Sequence, residues 1–132
     1  MEELYNYNLN DSDIKEMISI NNDILSLSNE EIKNIVELLL KINCNDKQIR
    51  NILISNPFYL SRCISDVIDL IKKLMNLGIT SLNILFDSNP WLLNKDVFEL
   101  DDYINQELNN KTLEEIVDEL ESNPYIIDEI GV

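Results

Sequence analysis

One short motif occurs three times at almost constant spacing, and it limits what this chain can fold into. Ser55-Asn56-Pro57-Phe58, Ser88-Asn89-Pro90-Trp91 and Ser122-Asn123-Pro124-Tyr125 place their prolines 33 and 34 residues apart. Aliphatic residues follow each copy: Leu60, then Leu92 and Leu93, then Ile126 and Ile127. Asparagine is a strong helix N-cap and proline suits the first helical position, so each Asn-Pro ends one helix and starts another short one. Counting back 34 from Pro57 reaches Asp23, within Asn22-Asp23-Ile24-Leu25, a degenerate first copy without the proline. Helical units at this period stack on one another and share a continuous core.

Two helical patterns precede each motif. In the clearest copy Val67, Ile68, Ile71, Leu74, Met75 and Leu77 stand at helical spacing from about Ser65 to Leu77. Gly78 then occupies the position where a helix end takes a left-handed residue. Thr80 or Ser81 caps a second, shorter helix carrying Leu82, Leu85 and Phe86. In the copy before it, Ser28 and Glu31 form a capping box, and Ile35, Val36, Leu39, Leu40 and Ile42 align with Leu70, Ile71, Leu74, Met75 and Leu77. Asn43 replaces Gly78, and Cys44 aligns with Ile79 as a small buried apolar group. In the last copy Asp101 to Asn109 suits a helix with Tyr103, Ile104 and Leu108 inside. Thr112 and Glu115 box the next one, whose inner stripe is Ile116, Val117 and Leu120. Upstream, Asp11 or Ser12 caps a helix through about Ile20, and residues 1–10 read as loose. The expectation is one all-α domain over residues 1–132, with repeats at roughly 11–28, 29–64, 65–99 and 100–132. Phe58, Trp91 and Tyr125 are read as core plugs between repeats, with ligand stacking as the sharper alternative.

The clearest stretch, Ile84-Leu85-Phe86-Asp87-Ser88-Asn89-Pro90-Trp91-Leu92-Leu93 preceded by Leu74-Met75-Asn76-Leu77-Gly78-Ile79, resembles the repeat of the mitochondrial transcription termination factor (mTERF) family. The similarity spans roughly residues 29–127, with a weaker copy upstream. It implies a short, curved solenoid built from right-handed helices, with three to four mTERF-like three-helix repeats. It also implies a basic concave face that binds duplex nucleic acid. The chain departs from the family there, with 10 Lys plus Arg against 25 Asp plus Glu and a net charge of −15. A phosphate-binding face needs aligned cations.

The charge is unevenly placed: residues 1–33 carry −6, residues 34–99 are balanced, and residues 100–132 carry −9. Histidine is absent, which removes the usual neutral-pH acid–base group and the commonest metal ligand. Cys44 and Cys63 have no zinc-site spacing and imply no disulfide framework. Glu114 and Asp118 share a helix face at i,i+4, and Asp11-Ser12-Asp13 lacks the glycine and terminal glutamate of a calcium loop. No catalytic residue, cofactor or metal site is expected. No apolar run nears the roughly 18 residues that span a membrane, and Met1 to Asn10 is acidic and polar, so a cytosolic protein with no membrane partner is expected.

Binding to another macromolecule remains. The favoured partner is a basic protein, steered by Asp101, Asp102, Glu107, Glu114, Glu115, Asp118, Glu119, Glu121, Asp128 and Glu129. Inhibition of a nucleic-acid-binding protein by charge mimicry is the concrete version, with anti-CRISPR proteins as an analogy. The bland alternative is a solvated acidic face that keeps the chain soluble. A second hypothesis is direct nucleic-acid binding through Lys41, Lys47, Arg50, Arg62, Lys72 and Lys73, which the overall negative field disfavours. Cys63, beside Arg62, is read as a half-buried structural thiol.

Overall fold

The computed structural model describes residues 2–122. Seven α-helices cover Asp11–Ile20 (α1), Asn29–Lys41 (α2), Asp46–Ser55 (α3), Ile64–Asn76 (α4), Leu82–Ser88 (α5), Val97–Glu107 (α6) and Leu113–Ser122 (α7). Four short 3-10 helices cover Glu2–Tyr7, Asn22–Ser26, Pro57–Ser61 and Pro90–Asn94. The described residues contain no strand and are all-α. The motif residues Asn123, Pro124 and Tyr125, the aliphatics Ile126 and Ile127, and the acids Asp128 and Glu129 lie outside the described residues.

Local chemistry sets most helix starts. Asn10 with Asp13, Ser28 with Glu31, and Asn45 with Gln48 form reciprocal capping boxes at α1, α2 and α3. The side chain of Asp96 accepts from the Glu99 N–H at 2.8 Å, and Thr112 and Glu115 exchange bonds before α7. Two starts differ from the sequence reading. The cap of α1 is Asn10, not Asp11 or Ser12. Helix α6 begins at Val97, a turn before Asp101, because Asp96 caps it and Leu100 is fully buried. Leu108, expected inside, is exposed.

Helices α2 and α4 stop by the same device. Asn43 has φ +72° and Gly78 φ +96°. The Asn43 and Cys44 N–H groups donate to the Leu40 and Leu39 carbonyls, both at 3.0 Å. Gly78 and Ile79 repeat this on Met75 and Leu74 at 3.0 and 3.3 Å. These are Schellman ends, and the residue after the left-handed one, Cys44 or Ile79, is buried. A Cβ built on Gly78 would meet nothing within 4 Å, so its cost is all backbone. Gly78→Ala should therefore destabilise by about 1 kcal/mol and Gly78→Asn by less, as read from thermal melts.

The helices pack in three rows. Helices α2, α4 and α6 are neighbours, as are α1, α3 and α5, and the last three 3-10 helices form the third row. Helix α7 packs on α6. One apolar core runs from Leu4 to Leu120, with Phe86, Tyr59 and Leu39 fully buried at its centre. Leu40 and Met75, mutually aligned, sit on the edge of their stripes and are exposed. The N-terminal segment is not loose. Glu2–Tyr7 packs on α2 and α3 with Leu4 buried, Leu9 is buried just after it, and the Glu3 N–H donates to Asn29 Oδ1 at 3.2 Å. A stack of repeats leaves an open end, and these residues cover it.

Asn21 and Asn56 each join one copy to the next. Asn21, Asn56 and Asn89 are buried at matching positions, 35 and 33 residues apart. Neither Asn56 nor Asn89 caps its helix through its side chain, contrary to the sequence expectation. Instead Asn21 Nδ2 donates to the Pro57 carbonyl at 3.2 Å and to Ser61 Oγ at 2.7 Å. Asn56 Nδ2 donates to the Pro90 carbonyl at 2.9 Å and to Asn94 Oδ1 at 3.0 Å. Proline suits the acceptor position because its carbonyl is intact while its missing N–H would be idle at a helix start. The first copy is thus in register at Asn21-Asn22, one residue from the alignment of Asp23 with Pro57.

Candidate functional site

The acidic candidates divide by what they touch. Lys73 pairs with Asp101 at 2.5 Å, and Lys111 reaches both Glu107 at 3.0 Å and Glu119 at 2.8 Å. The bonds to Glu119 and Glu107 hold the Lys111 ammonium above its ordinary range. Glu115 is the capping partner of Thr112. Asp102, Glu114, Asp118 and Glu121 are exposed. On α7 the buried Ile116 and Leu120 fix the rotation, and Glu114, Asp118 and Glu121 fall at i, i+4 and i+7 on the other side.

Three of the six basic candidates are engaged. Arg50 pairs with Asp13 at 3.3 Å and Lys73 with Asp101. Arg62 donates from Nε to the Leu93 carbonyl and from Nη2 to the Lys95 carbonyl, each at 3.1 Å. It therefore clasps the next copy's 3-10 helix. Lys41, Lys47 and Lys72 are exposed.

Of the aromatic candidates, the described Phe58 and Trp91 are not core plugs. Phe58 and Trp91 keep 39% and 45% of their surface exposed. Their rings pack on each other, with centroids 5.8 Å apart and planes tilted by 54°. The plugs are the residues that follow: Tyr59 and Leu60, then Leu92 and Leu93. A 3-10 helix turns every three residues, so its one buried edge cannot also hold the residue after the proline. The Tyr59 hydroxyl donates to the Ile35 carbonyl at 2.6 Å. A sequence signal existed for this. With Asn21 in register, Ile24, Tyr59 and Leu92 form an apolar column, whereas Asp23, Phe58 and Trp91 do not. Trp91→Ala should therefore cost about 1 kcal/mol in chemical denaturation, well below the roughly 3–5 kcal/mol of a buried plug.

The two thiols differ. Cys44 is buried, and burial together with the nearby Asp87 charge pushes its thiol up to about 12. Cys63 is exposed rather than half-buried and stands at the N-cap of α4. Its Sγ lies 3.1 Å from Ser65 Oγ, and this bond, with the Asp66 and Ser65 backbone, lowers its thiol below the ordinary value. It borders a depression of about 360 Å³ shared with Leu27, Glu31, Asn34 and Arg62.

Among the described residues, no three His, Cys, Asp or Glu side chains gather as a metal site. No described helix is long and apolar enough to cross a membrane. Comparison with family models, curated proteins and solved structures finds no match.

Proposed function

We propose that this chain is a non-enzymatic helical-repeat protein that binds a basic partner protein. The observation that carries the reading is the exposed acidic stripe of α7, Glu114, Asp118 and Glu121, with Asp102 exposed on α6. With 25 acids to 10 bases, the chain's field attracts cationic surfaces and repels phosphates. A protein whose own ligand is nucleic acid presents such a cationic surface. Occupying it by charge mimicry makes this chain an inhibitor, with anti-CRISPR proteins as the analogy. The ion pairs of Arg50 and Lys73 and the Arg62 bonds to backbone carbonyls, all within the chain, weigh against direct nucleic-acid binding.

The same proposal includes the architecture: a short solenoid of three to four mTERF-like repeats. Three rows of helices and asparagines 35 and 33 residues apart support that reading. A solenoid supplies an extended surface without a catalytic cleft.

The test is an affinity pull-down at low and moderate salt, with and without nuclease. It compares the wild type with a variant carrying Asp102→Asn, Glu114→Gln, Asp118→Asn and Glu121→Gln. Capture of a basic nucleic-acid-processing protein, insensitive to nuclease but lost with salt and in the variant, is the expected result. Recovery of nucleic acid, abolished by nuclease, would overturn the reading.

A further inference from the structure

The acidic stripe steers a partner but offers no anchor, and Phe58 with Trp91 supplies one. Their column is not demanded by the fold. The first copy holds the exposed Asp23 there and still buries Ile24 where the later copies bury Tyr59 and Leu92. Two large aromatics at a position that accepts aspartate are surplus to the core, and their exposure carries a solubility cost. The packed pair is tilted, not closed face to face, and both residues stay exposed, so the rings do not occupy each other's faces in a closed stack.

Those faces are electron-rich, and cations bind there best. The surroundings favour the same occupant. Asp23 holds the matching place on the neighbouring 3-10 helix and sets a negative charge there. Lys95 and Glu99, which line a depression with Trp91 and Asn94, pair at 3.7 Å and cancel each other there. Arg62, four residues after Phe58, directs its guanidinium to the Leu93 and Lys95 carbonyls. A planar guanidinium stacks on a ring and carries its charge without deprotonating, so arginine fits better than lysine.

We infer that the Phe58–Trp91 pair is the docking point for an arginine-bearing segment of the partner protein. The inference rests on the proposed binding of a basic protein and adds where that protein is gripped. Nucleic-acid bases also stack on aromatics, but their phosphates would meet a net charge of −15.

Trp91 is the single tryptophan, so its emission reports the site directly. The probes are short labelled arginine–glycine, lysine–glycine and citrulline–glycine peptides, titrated at low salt, with a thymidine oligonucleotide as the fourth ligand. The arginine peptide should perturb Trp91 emission and bind more tightly than the lysine peptide, with the uncharged citrulline peptide weakest. The double variant Phe58→Ala/Trp91→Ala should weaken arginine-peptide binding by about tenfold in fluorescence anisotropy, with an unchanged helical circular-dichroism spectrum. Phe58→Tyr/Trp91→Tyr should restore it. Equal binding of arginine and lysine peptides, undiminished in the double alanine variant but lost on neutralising Asp102, Glu114, Asp118 and Glu121, would overturn this inference and leave the acidic reading standing. No binding of either cationic peptide would overturn both. A response to the oligonucleotide alone would assign the pair to base stacking instead.

Discussion

Asn56→Ala should lower the stability of the folded chain by about 3 kcal/mol, a large effect for a side chain of its size. Asn56 is fully buried, and its amide is used on both sides. Nδ2 donates to the Pro90 carbonyl and to Asn94 Oδ1, while Oδ1 accepts from Asn94 Nδ2 at 2.9 Å. Alanine would leave the Pro90 carbonyl and the Asn94 amide without these partners between two copies, where water does not replace them easily. Asn56→Asp should cost more at neutral pH, because a buried carboxylate faces two oxygens with no proton to offer. Its folded-state pKa would lie above the unfolded one, so the deficit is full above the folded pKa and shrinks as pH falls through it. Asn51 gives the control. Its Nδ2 also crosses copies, to Asp87 Oδ1 at 2.8 Å, but the pair is exposed, and Asn51→Ala should cost about 1 kcal/mol or less. Urea unfolding at neutral and mildly acidic pH separates the three variants. Equal losses in Asn51→Ala and Asn56→Ala would mean that burial of the Asn56 amide contributes nothing.

The features readable from the sequence are those whose partners lie a few residues away. The capping pairs Ser28–Glu31 and Thr112–Glu115 close within one turn, as do the helix ends at Asn43 and Gly78. Cys44 could be placed inside because its column contains Ile79. What escaped is set by residues more than 20 positions off. The Asn56 side chain has a cap available locally and forgoes it for a carbonyl 34 residues later. Phe58 looks more buried than Tyr59 by hydrophobicity, yet the edge that meets Ile35 belongs to Tyr59. Residues 2–10 are mostly polar, and only Leu4 and Leu9 show that they cover an open end. The acidic stripe of α7 was readable because an amphipathic helix fixes both faces at once. The aromatic pair was not, because a 3-10 turn of five residues has too little periodicity to reveal its outer side.

Tyr59→Ala should cost about 4 kcal/mol, since it empties a fully buried aromatic site between α2 and the third row. Tyr59→Phe keeps the ring and loses only the 2.6 Å bond to the Ile35 carbonyl, for about 1 kcal/mol. The two variants also differ in alkali. Burial pushes the Tyr59 phenol far above its ordinary value, with Cys44 adding to the shift and Arg62 opposing it. The folded chain therefore holds a proton that the unfolded chain releases near pH 10. This contribution is intact below that pH and is lost as pH rises beyond it. Cys44 starts earlier, since its thiol moves from the ordinary 9.0 up to about 12 on folding. Tyr7, raised by burial and by its bond to Glu3, contributes in the same direction. Stability should thus fall from about pH 9 upward, and Tyr59→Phe should flatten the limb above pH 10 while leaving the onset in place. Chemical denaturation across that range, with Cys44→Val to remove the earlier phase, measures each part. An unchanged limb in Tyr59→Phe would mean that the phenol meets solvent in the folded chain, and the core assignment of the whole Ile24, Tyr59 and Leu92 column would fail with it.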